Sequence, residues 1–243
     1  MVGDGETLDE LPRDDLKIIQ GARGYRYSLD PFLLCAFAQI PAGTRVADLG
    51  TGSGIIPLLL ARRSRAERIV GVECQPALAG RARRSVQLND LQRRVQILQA
   101  DIRNPHPELP AQGFDVVLAN PPYRAAGSGR RAPHPERATA RHELAGGLAD
   151  FLAAAARLLG DGGRFSIIYL AERGAELLAR MREVGLEPKR LRCVHGRQGD
   201  PARMVLVEGR RRGRPGLHIE TPLFIYEGKE YSPEVGSIYG ESG

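Results

Sequence analysis

Lysine is nearly missing from this chain: its 35 Lys and Arg residues include lysine only at Lys17, Lys189 and Lys229. A GC-rich coding sequence replaces lysine by arginine everywhere, so arginine identity says little and only its clustering carries information. Cysteine is also scarce. Cys35, Cys74 and Cys193 are odd in number and lack any C-x-x-C spacing, which argues against a disulfide framework and a cysteine zinc site. Buried or bystander thiols in a reducing compartment are expected. The histidines, His106, His134, His142, His195 and His218, show no ligand spacing, so neither a metal nor a catalytic histidine is expected. No apolar run approaches the ~20 residues of a membrane span; the longest lies around Phe32 to Ile40. The acidic start, Asp4 to Asp15, does not look like a signal peptide. The expectation is a soluble, cytoplasmic protein without internal repeats.

What is present suits one α/β domain. The 243 residues are 42% hydrophobic, enough for a substantial core, and a net charge of +6 with a pI near 9.5 favours an anionic partner. β-like runs occur near Arg45 to Leu49, Ile69 to Glu73, Val95 to Leu98, Asp115 to Ala119 and Arg164 to Leu170. Helical patterns fill the gaps, at Pro31 to Gln39, Ile55 to Arg63, Pro76 to Asn89, Leu148 to Leu159 and Ala175 to Val184. Two last strands, Lys189 to Val194 and Arg203 to Glu208, are joined by the short Gly196 to Pro201 turn and should be antiparallel.

The strand ends carry the chemistry. In Val46-Ala47-Asp48-Leu49-Gly50-Thr51-Gly52-Ser53-Gly54 a strand breaks into glycines and then into a helix, which brings backbone and a helix N-terminus close to a ligand. This is not the dinucleotide G-x-G-x-x-G, because Asp48 would repel a pyrophosphate. A carboxylate there suits a cationic amino acid end. Glu73 closes the next strand, where such folds grip ribose hydroxyls. Asp101 could accept from an adenine amino group, with Ile102 covering the ring. Asn120-Pro121-Pro122-Tyr123 follows the fourth strand. Taken alone it is a turn; an Asn side-chain carbonyl and a proline-fixed backbone carbonyl can also accept both hydrogens of a planar NH2 group, with the Tyr ring to stack on.

These motifs resemble the class I S-adenosylmethionine-dependent methyltransferases: Asp48 to Gly54 is similar to their glycine-rich first motif, Glu73 to their ribose acid, Asp101 to their adenine contact. Asn120 to Tyr123 resembles the tetrapeptide of the amino-methylating branch. More narrowly, the chain resembles the bacterial tRNA(Val) adenine-N6 methyltransferases. That match rests on Gly24-Tyr25-Arg26-Tyr27-Ser28-Leu29-Asp30 with Leu33-Leu34, on Ala140-Arg141-His142-Glu143, and on Pro222-Leu223-Phe224-Ile225-Tyr226 through Ile238-Tyr239-Gly240. The resemblance implies a Rossmann-like fold, a seven-stranded mostly parallel sheet with the last strand antiparallel and helices on both faces. It implies S-adenosylmethionine as cofactor and S-adenosylhomocysteine as product. Cofactor residues would be Tyr27, Asp48, Gly50, Gly52, Gly54, Glu73, Asp101, Ile102 and Asn120; catalytic ones Asn120, Pro121, Pro122 and Tyr123. One methyltransferase domain is expected over 1–243, with a lead-in (1–27), a catalytic core (28–210) and a C-terminal extension (211–243).

Planar amino groups also occur on guanine and on glutamine, so a guanine-N2 rRNA methyltransferase and a protein glutamine-N5 methyltransferase remain alternatives. Both resembling families usually carry an extra N-terminal domain, whereas here little precedes Gly24, which weighs for RNA over a protein substrate. Three arginine clusters bear on RNA. Arg81, Arg83, Arg84, Arg93 and Arg94 read as a solvated helical face. The Gly- and Pro-rich segment Arg124 to Arg141 beside Asn120 is either an RNA-phosphate grip or disordered. Arg210 to Arg214 is either a basic hairpin tip on RNA or a solubilising turn. Asp30 can be a helix N-cap before Pro31, or part of a segment folding over the cofactor.

Overall fold

The computed structural model describes residues 2–23, 27–122 and 146–240. An antiparallel hairpin comes first: β1 (Glu6–Leu11) pairs with β2 (Leu16–Gly21), in register Glu6 to Gly21 through Leu11 to Leu16. The main sheet follows, from β3 (Arg45–Leu49), β4 (Arg68–Glu73), β5 (Val95–Gln99), β6 (Phe114–Ala119), β7 (Leu159–Leu170), β8 (Leu186–His195) and β9 (Ala202–Arg211). Their order is β5-β4-β3-β6-β7-β9-β8, parallel except for β9, which runs against both neighbours. These are the seven strands the sequence suggests. Two further pairs of residues, β10 (His218–Ile219) and β11 (Leu223–Phe224), add parallel to the outer edge of β8 and make the sheet nine-stranded.

Among the described residues the helices are α1 (Asp30–Phe37), α2 (Ile55–Arg63), α3 (Pro76–Leu88), α4 (Leu148–Leu158), α5 (Gly174–Glu183) and a short C-terminal α6 (Pro233–Tyr239). A strand buried on both faces needs apolar residues at successive positions, and β6 has them. Val116 and Leu118 face a cluster with Phe32 of α1 and Leu58 of α2, while Val117 and Ala119 face one with Phe151 of α4 and Leu177 of α5. Helices therefore cover both faces. The Asp30 N-cap reading does not hold: Leu29 occupies the cap, Asp30 is already helical, and its N–H bonds to Ser28 Oγ at 3.3 Å.

The hairpin is tied to the sheet through α3. Ser85 Oγ accepts from Ile19 N at 2.9 Å; Asn89 Oδ1 accepts from Lys17 N at 2.8 Å and Asn89 Nδ2 donates to Lys17 O at 2.6 Å. Side chains of a helix thus satisfy the open edge of β2. Arg81 and Arg84 clamp Glu6 at 3.0 and 2.7 Å, and the hydrogen bond from Arg84 is the chief cause that holds the Glu6 carboxyl down at about 2. Arg94 donates to the carbonyls of Ala61, Ser64 and Ala66 at the end of α2. The expected solvated arginine face is therefore an internal clamp at these positions.

Glu208 of β9 is 1% exposed and carries an ion network. It accepts from Arg164 of β7 at 2.9 Å and from Arg190 of β8 at 3.3 Å; Arg190 also pairs with Glu220 at 2.7 Å and lies 4.3 Å from the Phe37 ring. Replacing Glu208 by Ala removes the buried acceptor that Arg164 and Arg190 share and leaves Arg190 with Glu220 as its carboxylate. Denaturant unfolding of this variant is expected to show a loss of about 3 kcal/mol or more; a loss below about 1 kcal/mol, in the range of an exposed surface pair, would contradict the network.

Candidate active site

Four adjacent strands, β5, β4, β3 and β6, end at one edge of the sheet, and each is followed by a residue group singled out in the sequence. Glu73 pairs with Gln99, and Leu49 pairs with both Val72 and Ala119. Register alone therefore brings Gly50, Glu73, Asp101 and Asn120 to the same edge. Open parallel sheets bind ligands there, beyond the carboxyl ends of the strands.

The turn after β3 is sharp because its glycines make it so. Gly50 has φ +70°, and a Cβ there would stand 3.0 Å from the Phe151 ring of α4. Gly54 has φ +87° and would place a Cβ 3.0 Å from that of Ala82 in α3. Any other residue would be strained at both positions and would push the flanking helices off the loop. The turn is fastened from below: Thr51 N donates to Val72 O at 2.9 Å, and Gly52 N donates to Glu73 Oε2 at 3.0 Å. Glu73 Oε1 accepts from Gln75 N at 2.8 Å. One carboxylate thus orients two backbone stretches, and its remaining lone pairs suit a pair of hydroxyls.

Asp48 differs in kind. It has no exposure, and neither carboxylate oxygen has a hydrogen-bond partner among the described residues; Thr51 Oγ1 and Ser53 Oγ share that condition. Buried polar atoms are normally paired, so four orphaned atoms around one glycine turn fit a polar ligand bearing a cationic end. Burial pushes the Asp48 carboxyl up to about 7; the nearby Thr51 hydroxyl offsets part of that rise, and the neighbouring Glu73 charge adds to it.

At the next strand end, Asp101 is paired with Arg103, which donates to it from Nη2 at 2.6 Å, from Nε at 2.9 Å and from the backbone at 2.9 Å. That hydrogen-bonded guanidinium holds the Asp101 carboxyl below the usual range. Ile102 is 6% exposed and packs among Leu98, Leu109 and Leu152, while its carbonyl accepts from Arg157 of α4 at 3.0 Å. Tyr27 arrives from the other side: its backbone N–H donates to Gln20 Oε1 at 3.0 Å. Asn120 and Pro121 close β6, partly and fully buried respectively, with Pro122 exposed.

Tyr123, the Arg124 to Arg141 segment, His142-Glu143 and Gly24-Tyr25-Arg26 lie outside the described residues. Arg103, Thr51 and Ser53 are the polar groups the sequence reading left without a role. The Asp-x-Arg spacing after a strand was the available signal for Arg103, since such an acid bonds the backbone two residues on. Arg210 to Arg214 falls elsewhere. Strand β9 continues through Arg211, Arg210 pairs with Arg164 in the first half of β7, and Arg211 and Arg210 donate to the carbonyls of Val184 and Gly162. The cluster therefore sits at the amino edge, about 20 Å from the carboxyl edge by strand rise.

A sheet of this order, with buried acceptors at its carboxyl edge, fits the class I fold of S-adenosylmethionine-dependent methyltransferases, and the comparisons with known proteins show that class. The chain belongs to the methyltransferase small domain family, whose sequence profile matches residues 30–184. It is 34% identical over 179 residues to the tRNA1(Val) (adenine(37)-N6)-methyltransferase of Aeromonas salmonicida, covering 73% of each chain. It is 32% identical over 209 residues to the enzyme of the same name from Yersinia pseudotuberculosis, covering 84% of this chain and 80% of that one. A crystal structure titled as a predicted O-methyltransferase from Agrobacterium tumefaciens superposes with TM-score 0.69 at 26% identity, covering 87% and 95%.

Asp48 gives a test with two signs. A raised carboxyl stabilises the free protein below its unfolded value of 3.8 and loses that contribution as pH rises through about 7. Near pH 8, Asp48→Asn should therefore melt above the native chain, yet bind S-adenosylmethionine roughly 30-fold or more weakly. Calorimetry and thermal melts read both; a lower melting temperature with unchanged affinity would contradict the assignment.

Proposed function

We propose that this enzyme transfers a methyl group to the exocyclic N6 of an adenine beside the anticodon of a tRNA. The observation that carries this reading is Asn120-Pro121 at the end of β6, next in the sheet to the cofactor loop after β3. The names of its relatives favour adenine over guanine or a glutamine amide. Bound S-adenosylmethionine supplies a methyl group already activated on a sulfonium. The task left to the chain is to hold the amino nitrogen in line and keep water out.

In this reading Asp48 binds the ammonium of the cofactor, Glu73 the ribose hydroxyls and Asp101 the adenine amino group. Ile102 covers that ring, Gly50, Gly52 and Gly54 give close backbone approach, and Tyr27 closes over the site. Asn120 Oδ1 and the Pro121 carbonyl accept the two hydrogens of the target amino group. Those bonds favour a more tetrahedral nitrogen, whose lone pair is freed for attack, and they stabilise the positive charge that develops. Pro122 stiffens the turn, and Tyr123 stacks on the flipped base, a contact of about 1–3 kcal/mol. Arg124 to Arg141 grips RNA phosphates, being continuous with the Asn120 turn. Arg210 to Arg214 is less suited to that duty at the amino edge. The chain works as one methyltransferase domain, in the cytoplasm where tRNA resides.

Asn120→Ala removes an acceptor that matters most as charge develops. Single-turnover kinetics on tRNA should show a rate loss of roughly 100-fold or more, with cofactor affinity within about threefold of native, because uniform binding is hardly touched. A near-native rate would sink the assignment of Asn120.

A further inference from the structure

Five rings run in file from the carboxyl edge of β8 to the cofactor side of the sheet. The C-terminal segment crosses β8 through β11, and Ile225 N and Tyr226 N donate to the carbonyls of His195 and Gly196. It then folds into a hairpin of β12 (Tyr226–Glu227) and β13 (Glu230–Tyr231). Tyr226 and Tyr231 stack at 5.4 Å and 16°. Tyr231 meets Tyr239 edge-on at 5.8 Å, Tyr239 meets Phe32 edge-on at 4.8 Å, and Phe32 meets Tyr27 at 5.8 Å and 56°.

Both ends of this file are anchored. Ser232 caps α6, accepting from Val235 N at 3.3 Å and donating to Phe224 O at 2.6 Å, and Arg192 grips Glu234 through two bonds of 2.6 and 2.8 Å. Phe32 is fully buried in α1, with the Arg63 guanidinium 5.6 Å from its ring and Arg63 itself held by Asp14. Phe32 packs against the Tyr27 ring and the Gln20 side-chain carbonyl accepts from its N–H; Gln20 in turn donates to Asp9 of β1. Tyr27, Ser28 and Leu29 belong to no strand or helix, and α1 begins at Asp30. Side-chain contacts therefore help to place the Tyr27 ring.

We propose that Tyr239 is a positioning residue for the cofactor site: through Phe32 it sets the ring of Tyr27, so the C-terminal segment tunes the affinity for S-adenosylmethionine without touching it. This gives the Ile238-Tyr239-Gly240 ending a role in binding rather than in RNA contact. The inference rests on the reading that Tyr27 closes over the cofactor. A ring pair of this geometry is a modest, directional interaction, so the effect should be a change in affinity, not a loss of activity.

The test is a double-mutant cycle on the full chain, read by calorimetry with S-adenosylmethionine and by steady-state kinetics on tRNA. Tyr239→Ala should raise the Kd and KM for the cofactor roughly three- to tenfold with kcat within about twofold of native, and Tyr239→Phe should restore native values. In a Tyr27→Ala background, Tyr239→Ala should have no further effect, because the two rings act through one contact. If Tyr239→Ala does not fold, Tyr239→Leu, which keeps apolar volume without a ring edge, takes its place in the cycle. A full Tyr239 effect persisting without the Tyr27 ring overturns the proposal while leaving the role of Tyr27 intact. Native cofactor affinity in Tyr27→Ala itself overturns the reading of Tyr27, and the proposal with it.

Discussion

A fully buried carboxylate is the constraint around which this protein is arranged. Asp48 lies at the end of a central strand, fully buried, beside a second acid, Glu73. Burial shifts it toward the protonated form, so its charge is a cost to folding. Stability alone would place an apolar residue there. The rest of the site follows from keeping it: the glycine turn that brings backbone over it, Phe151 and Ala82 pressed against that turn, and Glu73 fastening Gly52 from the neighbouring strand. Strain and desolvation of this sort are tolerated where a ligand offsets them.

Sheet polarity distributes the remaining chemistry. Every described strand of the main sheet but β9 points its carboxyl end at the cofactor edge, and both added segments of the chain are steered to that edge as well. The N-terminal hairpin climbs along α3 from Asn89 toward Arg81 and delivers Tyr27. The C-terminal segment follows β8 and delivers the hairpin that ends in α6. Two extensions from opposite ends of the chain thus converge on Tyr27 and Phe32, and α1 is the element that joins them.

Much of this was legible before any coordinates. Strands β3 to β6 were readable within a residue or two because a doubly covered strand is a continuous apolar run between turn residues, and the glycine loop announces itself by composition. The hairpin β1–β2 was not, because Glu6-Thr7-Leu8-Asp9-Glu10 reads as an acidic, solvated lead-in; its pairing is supplied by Asn89, Ser85, Arg81 and Arg84 of a helix far along the chain. The solvated-face reading of Arg81, Arg84 and Arg94 failed for the same reason. Whether a guanidinium faces solvent, a carbonyl or a carboxylate is decided by tertiary neighbours, as Arg94 and Arg211 show. Asp30 was misplaced by one position, since Pro31 fits the first or the second helical residue equally well.

The central claim is that this site methylates an adenine amino group in tRNA, and the modified nucleoside tests it most directly. The full chain is incubated with isotopically labelled S-adenosylmethionine and total RNA, the RNA is digested to nucleosides, and the products are identified by mass spectrometry. The account predicts label in N6-methyladenosine recovered from the tRNA fraction. Label in N2-methylguanosine, or in protein with none in RNA, would contradict it.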